Sequence, residues 1–463
     1  MNNDITLKRD LKSYQNIHLI GIGGASMYCI AAELKDAGKN VTGSDMQESN
    51  NTLFLKSIGV DITIGHNLKM IENADLVIYT AAISDDDIEL VHARELGIET
   101  IERAPFLGVY TKDYENLICI SGTHGKSTTT SMVASIFLDA KLNPSIQIGA
   151  HLNKIDSNYY IGSKKYFILE ACEYVDSFLH FHPTSEIILN IDNDHLDYFK
   201  TIENTKKSFQ KYVELLPNKG ILVVNIDDLN TSQLLNLREN TITYGIKNQN
   251  AMVTARNITF SNLGFPTFDI YIKNEYLDTF TLGVLGTHNV LNALAATSLA
   301  LQYNIDKDII KKSLKEFKGV GRRFEYLGKY KGTPIFDDFA HHPTEIESTY
   351  QSAKSIPHRS TWAVFQSHTY SRTYEHLEKF ADVLAKFDHV IICDIYPARE
   401  TNIWNVKESD LVDLIKRKNP NVIHIPTYEE IAQYLKEHVV DDDLILTIGA
   451  GPVNKVGKLL LEE

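Results

Sequence analysis

One stretch, Cys119-Ile-Ser-Gly-Thr-His-Gly-Lys-Ser-Thr-Thr-Thr130, constrains the fold most, because an apolar run breaks into glycines and then into a lysine followed by hydroxyls. The apolar run predicts a strand over 117–121, and apolar residues at helical spacing predict a helix that begins at Lys126. Glycines let backbone N–H groups face an anion, and a helix start adds unpaired N–H groups and a favourable dipole. The stretch therefore predicts a phosphate-binding loop in an α/β fold.

Within this loop, Lys126 would supply a positive charge and Ser127 a hydroxyl for Mg²⁺. The general P-loop pattern has four residues between its first glycine and the Gly-Lys pair, whereas only two lie between Gly122 and Gly125, so the loop is a shorter variant. The alternative is an ordinary glycine-rich turn, but a lysine and four hydroxyls at a helix start have no packing reason. The residues predicted to bind the nucleotide are Gly122, Thr123, His124, Gly125, Lys126, Ser127 and Thr128.

The overall composition indicates a globular protein of two or three domains, since 463 residues exceed what one core usually holds. The formal charge of −14 argues against a nucleic-acid partner, because phosphate backbones are held mainly by Lys and Arg. The four cysteines have no close pair, which favours thiols in a reducing compartment over disulfides or a metal site. Because no apolar leader or membrane-length apolar span occurs, we expect a cytoplasmic protein without membrane contact.

The N-terminal residues predict a strand, a helix and a second strand, with the turn Gly21-Ile-Gly-Gly-Ala-Ser26 after the first strand and Asp45 at the end of the second. This βαβ unit is typical of a dinucleotide fold, but Ser26 stands where the fingerprint has its third glycine. A nicotinamide-dependent oxidoreductase is therefore a weaker alternative, and a turn that binds nothing is another. A further strand ends at Thr80 and Ala81, and open α/β sheets bind ligands at such strand ends.

Two apolar strands of the next domain are predicted to end in carboxylates. One ends at Glu170, and the other continues into Asn190-Ile-Asp-Asn-Asp-His-Leu-Asp197. Carboxylates at the carboxyl edge of a sheet, beside a phosphate loop, suit Mg²⁺, which prefers oxygen ligands and is shared with substrate phosphates. Ser127, Glu170 and His195 are the predicted metal ligands, and the alternative for the second segment is a solvated acidic turn.

A second glycine turn, at Gly286, enters a helix that presents His288, Asn289 and Asn292 near its start. Amide side chains can pair with an adenine edge, although these residues could equally be helix caps. Farther on, the pair Arg322-Arg323 offers guanidinium groups for a bidentate phosphate contact.

From about residue 328 a third α/β pattern begins, with polar clusters after nearly every predicted strand and helices expected at 374–387, 407–418 and 428–438. The alternation predicts a mostly parallel sheet. His341 and His342 are adjacent, so their rings would point in different directions. We therefore expect a substrate contact or a structural hydrogen bond there rather than a metal site.

With these segments in place, the chain resembles the Mur ligases of peptidoglycan synthesis over almost its full length. Seven motifs fall in the family's order, and together they are far more specific than any one of them. They are Gly21-Ile-Gly-Gly-Ala-Ser-Met27, Ser121-Gly-Thr-His-Gly-Lys-Ser-Thr128, Asn190-Ile-Asp-Asn-Asp-His-Leu-Asp197, Gly286-Thr-His-Asn-Val-Leu-Asn-Ala293, Arg322-Arg-Phe-Glu325, Asp337-Asp-Phe-Ala-His-His-Pro-Thr-Glu345 and Phe365-Gln-Ser-His-Thr-Tyr-Ser-Arg-Thr373.

The resemblance implies three α/β domains: an N-terminal Rossmann-like domain for a UDP-sugar (1–113), a central P-loop ATPase domain with a parallel sheet and an antiparallel flank (114–327), and a C-terminal Rossmann-like domain that brings an amino acid (328–463). The implied reaction is ATP-dependent amide formation between the lactyl carboxylate of UDP-N-acetylmuramate and L-alanine, through an acyl phosphate. ATP and Mg²⁺ are the implied cofactors, the partners are small molecules, and a monomer or homodimer is expected.

The resemblance also implies roles for single residues. Those expected at the reacting centre are Lys126, His195, Arg323, Asp338 and His342. His288, Asn289 and Asn292 would lie by the adenine. Contacts to the UDP-sugar or the amino acid are expected from Gly23, Gly24, Ala25, Ser26, Ser44, Asp45, Thr80, Ala81, His341, His368 and Arg372.

Three alternatives stay open beside this reaction. The first is a recycling ligase that joins a tripeptide to the same sugar nucleotide, the second is the nicotinamide-dependent oxidoreductase, and the third is a nucleotide-binding protein without turnover. Two departures from the family pattern bear on the sites. Ser26 replaces a glycine, and Thr369 replaces a frequent arginine beside His368, which puts one anchoring contact in doubt.

Overall fold

The computed structural model describes residues 7–261, 264–398 and 400–462. The chain divides into two compact units, one formed by Met1–Thr243 with Ala295–Asp306 and the other by Tyr244–Leu294 with Lys307–Glu463. Among the described residues, no helix combines the length and the apolar character needed to cross a bilayer. The domain boundaries at 113/114 and 327/328 stay predictions.

The first unit begins with a five-stranded, fully parallel sheet in the order β3-β2-β1-β4-β5. Its strands are β1 (Asn16–Ile20), β2 (Asn40–Asp45), β3 (Asp61–Ile64), β4 (Leu76–Tyr79) and β5 (Glu99–Glu102). Its helices are α1 (Met27–Asp36), α2 (Asn50–Ser57), α3 (Leu68–Ile71), α4 (Ile88–Glu95) and α5 (Arg103–Tyr110). The strand order reverses between β1 and β4, so the glycine turn after β1, Asp45 at the end of β2 and Thr80 after β4 share the carboxyl edge where such sheets bind ligands.

The same unit contains a second sheet, whose strands run in the order β11-β10-β6-β9-β7-β8 and are parallel except for the β7–β8 hairpin. These strands are β6 (Asn116–Ser121), β7 (Pro144–Leu152), β8 (Ser157–Tyr160), β9 (Ser163–Glu170), β10 (Ser185–Ile188) and β11 (Ile221–Asn225). The associated helices are α6 (Lys126–Asp139), α7 (Leu196–Phe199) and α8 (Ile202–Val213). Because β6 lies between β9 and β10, the segments that follow these three strands meet at one edge.

Strand β12 (Thr241–Gly245) belongs to the second unit from Tyr244 onward, and there it pairs in parallel with the next strand through Tyr244 and Val253. Strands β13 (Val253–Phe260), β14 (Pro266–Ile272) and β15 (Glu275–Thr281) are antiparallel, in agreement with the expected antiparallel flank. Helix α9 (Thr287–Gln302) follows, with residues 287–294 in this unit and 295–302 in the first, and helix α10 (Lys307–Glu316) lies in this unit.

The last sheet has the order β16-β17-β21-β18-β19-β20 and is parallel except for β16. Its strands are β16 (Glu325–Tyr330), β17 (Thr333–Asp338), β18 (Thr361–Phe365), β19 (His389–Ile392), β20 (Val422–His424) and β21 (Leu444–Ile448). Its helices are α11 (Pro343–Lys354), α12 (Tyr370–Leu384), α13 (Glu408–Lys416), α14 (Tyr428–His438) and α15 (Lys455–Leu461). Strands β18 and β21 are buried throughout, which explains their continuous apolar sequence.

Candidate active site

The predicted phosphate loop joins β6 to α6. Gly125 is the N-cap residue of α6 in the left-handed conformation (φ +86°), and Gly122 has φ +139°. A Cβ atom on Gly122 would lie 2.9 Å from the Cβ of Leu189, so no larger residue fits there without a shift. The loop backbone therefore depends on its glycines, and α6 points its N-terminus at the loop, where an anion is favoured.

Asn190, which follows β10, stabilises this loop through hydrogen bonds. Its carbonyl accepts from the N–H of Thr123 (3.1 Å), its Oδ1 accepts from the N–H of His124 (2.8 Å), and its Nδ2 donates to the carbonyl of His124 (3.0 Å). The hydroxyl of Thr123 in turn accepts from the N–H of Asp192 (2.9 Å). These hydrogen bonds hold the Asn190-Ile-Asp segment against the phosphate loop, although the two segments are far apart in the sequence.

The side chain of Lys126 turns back over the loop. Its ammonium donates to the carbonyls of Gly122 (2.6 Å) and Thr123 (3.0 Å), and it lies 3.0 Å from the nearer carboxylate oxygen of Glu173. Burial alone would lower the pKa of Lys126, but the nearby carboxylates, Glu173 foremost, raise it above its usual value. Lys126 is therefore a fixed cation beside the loop.

Ser127 and Glu170 are brought together, as predicted. The hydroxyl of Ser127 donates to Oε1 of Glu170 (3.0 Å), while Oε2 of Glu170 accepts from the N–H of Gly149 (2.8 Å). A hydroxyl and a carboxylate at this spacing form an oxygen donor set of the kind that Mg²⁺ prefers. The two residues fit a magnesium ion beside the phosphate loop.

His195 lies on the segment after β10 in the left-handed conformation (φ +54°). Its ring packs against the Tyr174 ring at a centroid distance of 4.6 Å, and its Nε2 lies 3.9 Å from the Asp194 carboxylate. Val175 and Asp176 are also left-handed (φ +50° and +57°), an uncommon conformation for a β-branched residue. His195 is thus positioned by a strained neighbouring segment, and its role as a metal ligand stays a prediction.

The glycine turn after β1 packs against the end of β2. The N–H of Gly23 donates to Oδ2 of Asp45 (2.9 Å), and a Cβ atom on Gly23 would lie 2.9 Å from that oxygen. Asp45 therefore orients the turn rather than standing free at its edge. Gly24 and Ala25 are exposed, and Thr80 and Ala81 begin the turn after β4.

Ser44 has a partner that the sequence does not reveal. Its hydroxyl donates to Oε2 of Glu89, a fully buried carboxylate on α4 that also accepts from the N–H of Asn67 (2.6 Å). The predicted substrate contact of Ser44 is untested, and its observed contact is structural.

At the start of α9, Asn289 donates from Nδ2 to the carbonyl of Leu285 (2.7 Å), and Asn292 donates to Oδ1 of Asn289 (3.0 Å). Burial lowers the pKa of the neighbouring His288 to about 4, so its ring is neutral. The structure thus shows a local amide network that stabilises the helix start, and the adenine contacts of these three residues stay predictions.

The two adjacent arginines have different environments. Arg322 donates to Asp337 (2.9 Å) and to the carbonyls of Gly449 (2.7 Å) and Gly451 (2.9 Å), which joins the ends of β17 and β21. Arg323 lies 3.6 Å from the Glu345 carboxylate. The donor groups of Arg322 are thus bound within the scaffold, and the phosphate contact of Arg323 stays a prediction.

Asp338, at the end of β17, accepts from the hydroxyl of Thr349 (2.7 Å), and burial raises its pKa to about 6 despite the opposing charge of Arg323. Glu345 accepts from the N–H groups of His341 (3.0 Å) and His342 (3.3 Å), so this carboxylate connects the start of α11 to Arg323. Four predicted site residues, Arg323, Asp338, His341 and His342, therefore share one polar cluster with Glu345.

The adjacent histidines point to different neighbours, as predicted. The ring of His341 contacts that of His368 (5.9 Å), and the ring of His342 contacts that of His376 (4.8 Å). Arg372 lies 3.2 Å from Nδ1 of His368. His341, His368 and Arg372 are therefore gathered at the carboxyl ends of the strands, although their contact with an amino acid stays a prediction.

Comparison with known proteins extends this picture over the whole chain. Residues 16–115 match the Mur ligase family, catalytic domain, residues 120–300 match the Mur ligase middle domain, and residues 322–451 match the Mur ligase, glutamate ligase domain. The chain belongs to the Mur ligase family. Mur ligases are ATP-dependent ligases, so the predicted enzyme class, the α/β fold and the phosphate loop agree with one another.

One sequence relative and two solved structures are similar to the chain over nearly its full length. A UDP-N-acetylmuramate–L-alanine ligase of Alkaliphilus metalliredigens is 45% identical over 460 residues, which cover 99% of this chain and 100% of the relative. The UDP-N-acetylmuramate-alanine ligase of Thermotoga maritima has a TM-score of 0.83 at 26% identity and covers 97% of this chain and 98% of its own. A murein peptide ligase of Psychrobacter arcticus has a TM-score of 0.70 at 24% identity, with 96% and 98% covered.

Some site residues of this Mur ligase were not assigned a role from the sequence. Glu173 lies three positions after Glu170, which could have suggested a second carboxylate near Lys126. Glu345 follows His342 at the spacing of a capping box and could have been read as one. Glu89 carries no local signal, because only the tertiary fold brings it to Ser44.

Proposed function

We propose that this chain joins the lactyl carboxylate of UDP-N-acetylmuramate to the amino group of L-alanine, with cleavage of ATP to ADP and phosphate. The observation that carries the proposal is the 45% identity, over 99% of this chain, to a ligase whose name gives UDP-N-acetylmuramate and L-alanine as its substrates. It favours the alanine ligase over the recycling tripeptide ligase, over the oxidoreductase and over a protein without turnover.

The phosphate loop and Lys126 are the residues that we propose to bind the phosphates of ATP. The carboxylate of UDP-N-acetylmuramate is a poor acylating group, so the γ-phosphoryl group is first transferred to it, and the amine then attacks the acyl phosphate. Lys126 contributes charge stabilisation in the first step. Because its ammonium already contacts two carbonyls and Glu173, a phosphate oxygen has to replace one of these partners.

Ser127, Glu170 and His195 are the residues that we propose to hold Mg²⁺, and the Ser127–Glu170 contact supports the first two. When bound, the ion would neutralise charge on the phosphate oxygens. Arg323 and Asp338 are proposed at the reacting centre with His342. His341, His368 and Arg372 are proposed to contact the amino acid, and the glycine turn with Ser44, Asp45, Thr80 and Ala81 is proposed for the UDP-sugar.

We further propose three domains with the boundaries given above, a monomer or homodimer, and the cytoplasm as the compartment. The free cysteines support a reducing compartment, since Cys29, Cys119 and Cys393 are buried as thiols. ATP and a UDP-sugar are also cytoplasmic metabolites.

The test is an incubation of the full chain with ATP, Mg²⁺, UDP-N-acetylmuramate and radiolabelled L-alanine. We expect a labelled sugar nucleotide and one phosphate per product. Replacing alanine by the tripeptide L-alanyl-γ-D-glutamyl-meso-diaminopimelate tests the recycling ligase, and titration with NADH followed by fluorescence tests the oxidoreductase. Product with the tripeptide but not with alanine would overturn the proposal.

A further inference from the structure

Asp176, on the segment between β9 and β10, lies outside every set of residues assigned to a site from the sequence. Its carboxylate accepts hydroxyls from two different helices. Oδ2 accepts from the phenol of Tyr198 on α7 (2.8 Å), and Oδ1 accepts from the buried hydroxyl of Ser208 on α8. Hydrogen bonds to an ionised carboxylate are stronger than those between neutral groups, so Asp176 fixes its segment to both helices.

The segment that these hydrogen bonds fix has an unfavourable backbone. Val175 (φ +50°, ψ +33°) and Asp176 (φ +57°, ψ +22°) are consecutive left-handed residues. Aspartate tolerates this conformation, whereas a β-branched residue rarely adopts it. Such a conformation persists only where the surroundings hold it, and it is concentrated at functional sites. The hydrogen bonds of Asp176 supply that support.

The strained pair follows two residues that contact the phosphate loop and its neighbourhood. The N–H of Asp176 donates to the carbonyl of Glu173 (3.0 Å), which closes a turn. The Glu173 carboxylate lies 3.0 Å from the ammonium of Lys126. The ring of Tyr174 packs against that of His195 at a centroid distance of 4.6 Å. One short segment therefore contacts both the cation of the loop and a predicted metal ligand.

Tyr198 connects the same residues from the other side. Its N–H donates to the carbonyl of His195 (3.0 Å), its ring contacts that of Tyr174 (6.3 Å), and its phenol donates to Asp176. These four residues form a closed ring of contacts. A change at Asp176 is therefore transmitted to His195 through both of its aromatic neighbours.

We propose that Asp176 is a positioning residue for the reaction. Through its hydrogen bonds to Tyr198 and Ser208 it keeps Glu173 against Lys126 and the ring of Tyr174 against His195. It acts through these neighbours at the end of the site where the γ-phosphoryl group is transferred. This inference rests on the proposed function, because it takes Lys126 and His195 as residues that bind ATP and Mg²⁺.

The test compares Asp176→Ala with Asp176→Asn. Alanine removes both acceptor oxygens and tolerates a left-handed backbone less well, whereas asparagine keeps one acceptor oxygen and tolerates that backbone. Calorimetric titration of the full chain with a non-hydrolysable ATP analogue, with and without Mg²⁺, measures affinity, and turnover at varied ATP measures KM. We expect Asp176→Ala to weaken binding of the analogue with Mg²⁺, and to raise the KM for ATP, by about 5- to 50-fold. Asp176→Asn should restore most of this loss.

Asp269→Ala is the matched control variant. The Asp269 carboxylate also accepts from two side chains, the hydroxyl of Thr279 (2.6 Å) and Nδ2 of Asn257 (2.8 Å), but it lies in the antiparallel flank. This variant should bind the analogue as the wild type does.

Titration with UDP is the matched control ligand. The glycine turn after β1, which we propose to bind the UDP-sugar, is held by other hydrogen bonds. The carbonyl of Ala25 accepts from Nδ2 of Asn158, and the carbonyl of Ser26 accepts from Nε2 of Gln147, both at 3.1 Å from the β7–β8 hairpin. The affinity for UDP should therefore be unchanged in the Asp176 variants.

The double variant Tyr198→Phe/Ser208→Ala removes both donors and leaves the left-handed aspartate in place. We expect it to reproduce the loss seen with Asp176→Ala, and it provides the test if Asp176→Ala does not fold. A wild-type affinity for the analogue in this double variant would overturn the proposal. Asp176→Asn as weak as Asp176→Ala would also overturn it, because the charge rather than the hydrogen bonds would then be required.

The remaining outcomes separate a positioning role from a structural one. Fewer binding sites per chain at unchanged affinity, or an equal loss of affinity for UDP, would assign Asp176 a purely structural role. If wild type and Asp176→Ala bind the analogue and turn over equally, this inference fails alone. If the wild type binds the analogue but forms no product from UDP-N-acetylmuramate and L-alanine, the proposed function fails.

Discussion

The two carboxylate oxygens of Glu173 lie 3.0 and 3.2 Å from the ammonium of Lys126, and the Glu173 side chain is only 1% exposed. A buried pair of this kind contributes little net stability, but removal of one partner leaves an uncompensated charge. Lys126→Met should therefore lower the free energy of unfolding by about 3 kcal/mol in addition to abolishing turnover. Urea denaturation measures the first effect and phosphate release the second.

The matched double variant Lys126→Met/Glu173→Gln separates stability from catalysis. We expect it to recover most of the lost stability, because the buried charge is gone, while turnover stays absent. Full stability of Lys126→Met alone would contradict the importance of the pair. The double variant is also the proper inactive control, since an unstable single variant would lose activity for a trivial reason.

Glu170→Gln should raise the Mg²⁺ concentration required for half-maximal turnover by about 10- to 100-fold, because a neutral amide is a weaker ligand than a carboxylate and no longer accepts from Ser127 as strongly. The measurement is a Mg²⁺ titration of phosphate release. Glu429→Gln, which changes an exposed glutamate on α14, serves as the control and should have the wild-type Mg²⁺ requirement. An unchanged requirement in Glu170→Gln would remove Glu170 from the metal site.

Burial raises the pKa of Glu33 on α1 to about 8, against a smaller opposing effect of the neighbouring Tyr110 hydroxyl. The Glu33 carboxyl therefore stays protonated in the folded protein at pH values where the unfolded chain, with a pKa near 4.3, has lost that proton. The contribution of Glu33 to the free energy of unfolding thus falls as pH rises from about 4 to about 8, by up to about 1.4 kcal/mol per pH unit. Glu33→Gln should be more stable than the wild type at pH 8, and this advantage should shrink toward pH 5. Urea denaturation at both pH values checks the sign, and a pH-independent difference would contradict it.

Arg322 and Arg323 should respond differently to the same substitution. Arg322→Lys cannot reproduce the contacts to Asp337 and to two carbonyls at the end of β21, so it should lower the free energy of unfolding by about 2 kcal/mol. Arg323→Lys should leave stability nearly unchanged and lower turnover. Equal effects of the two variants in both assays would contradict the division of roles.

Amino-acid selectivity follows from the size of the groups that differ. Glycine lacks one methyl group of alanine and serine adds one hydroxyl, and such differences contribute about 1–3 kcal/mol in a pocket. We expect measurable turnover with glycine and serine at a kcat/KM about 10- to 100-fold below that with L-alanine. Competition between labelled amino acids measures this ratio, and a preference for serine or glycine would contradict it.

The regular elements could be predicted closely from the sequence, because apolar periodicity and glycine turns are local signals. Strand β1 ends directly before the glycine turn, β2 ends at Asp45 and α6 begins at Lys126, all as expected. Strands β3, β5 and β7 carry weak patterns and were not predicted. The phosphate loop was also predictable, since its glycines, lysine and hydroxyls are consecutive.

The partners of the site residues could not be predicted in the same way. The contacts of Asn190, Glu173 and Glu345 depend on which strands are adjacent in the sheets. No short sequence motif encodes that strand order. The partner of Ser44 could not be predicted for the same reason, because its hydroxyl contacts a buried glutamate from a helix that is distant in the sequence. Residue type and spacing indicated the chemistry, whereas tertiary neighbours determine which of two similar residues is free for it.

The hydrogen bonds from Gln147 and Asn158 to the glycine turn have a consequence for synthesis on the ribosome. The turn is made early, but the side chains that fix its carbonyls are added more than a hundred residues later. A nascent or truncated chain that stops at the end of the first sheet would therefore lack these hydrogen bonds. Its glycine turn would be less ordered and would bind its ligand more weakly. Binding competence in this part of the molecule is acquired only after the β7–β8 hairpin has emerged and folded.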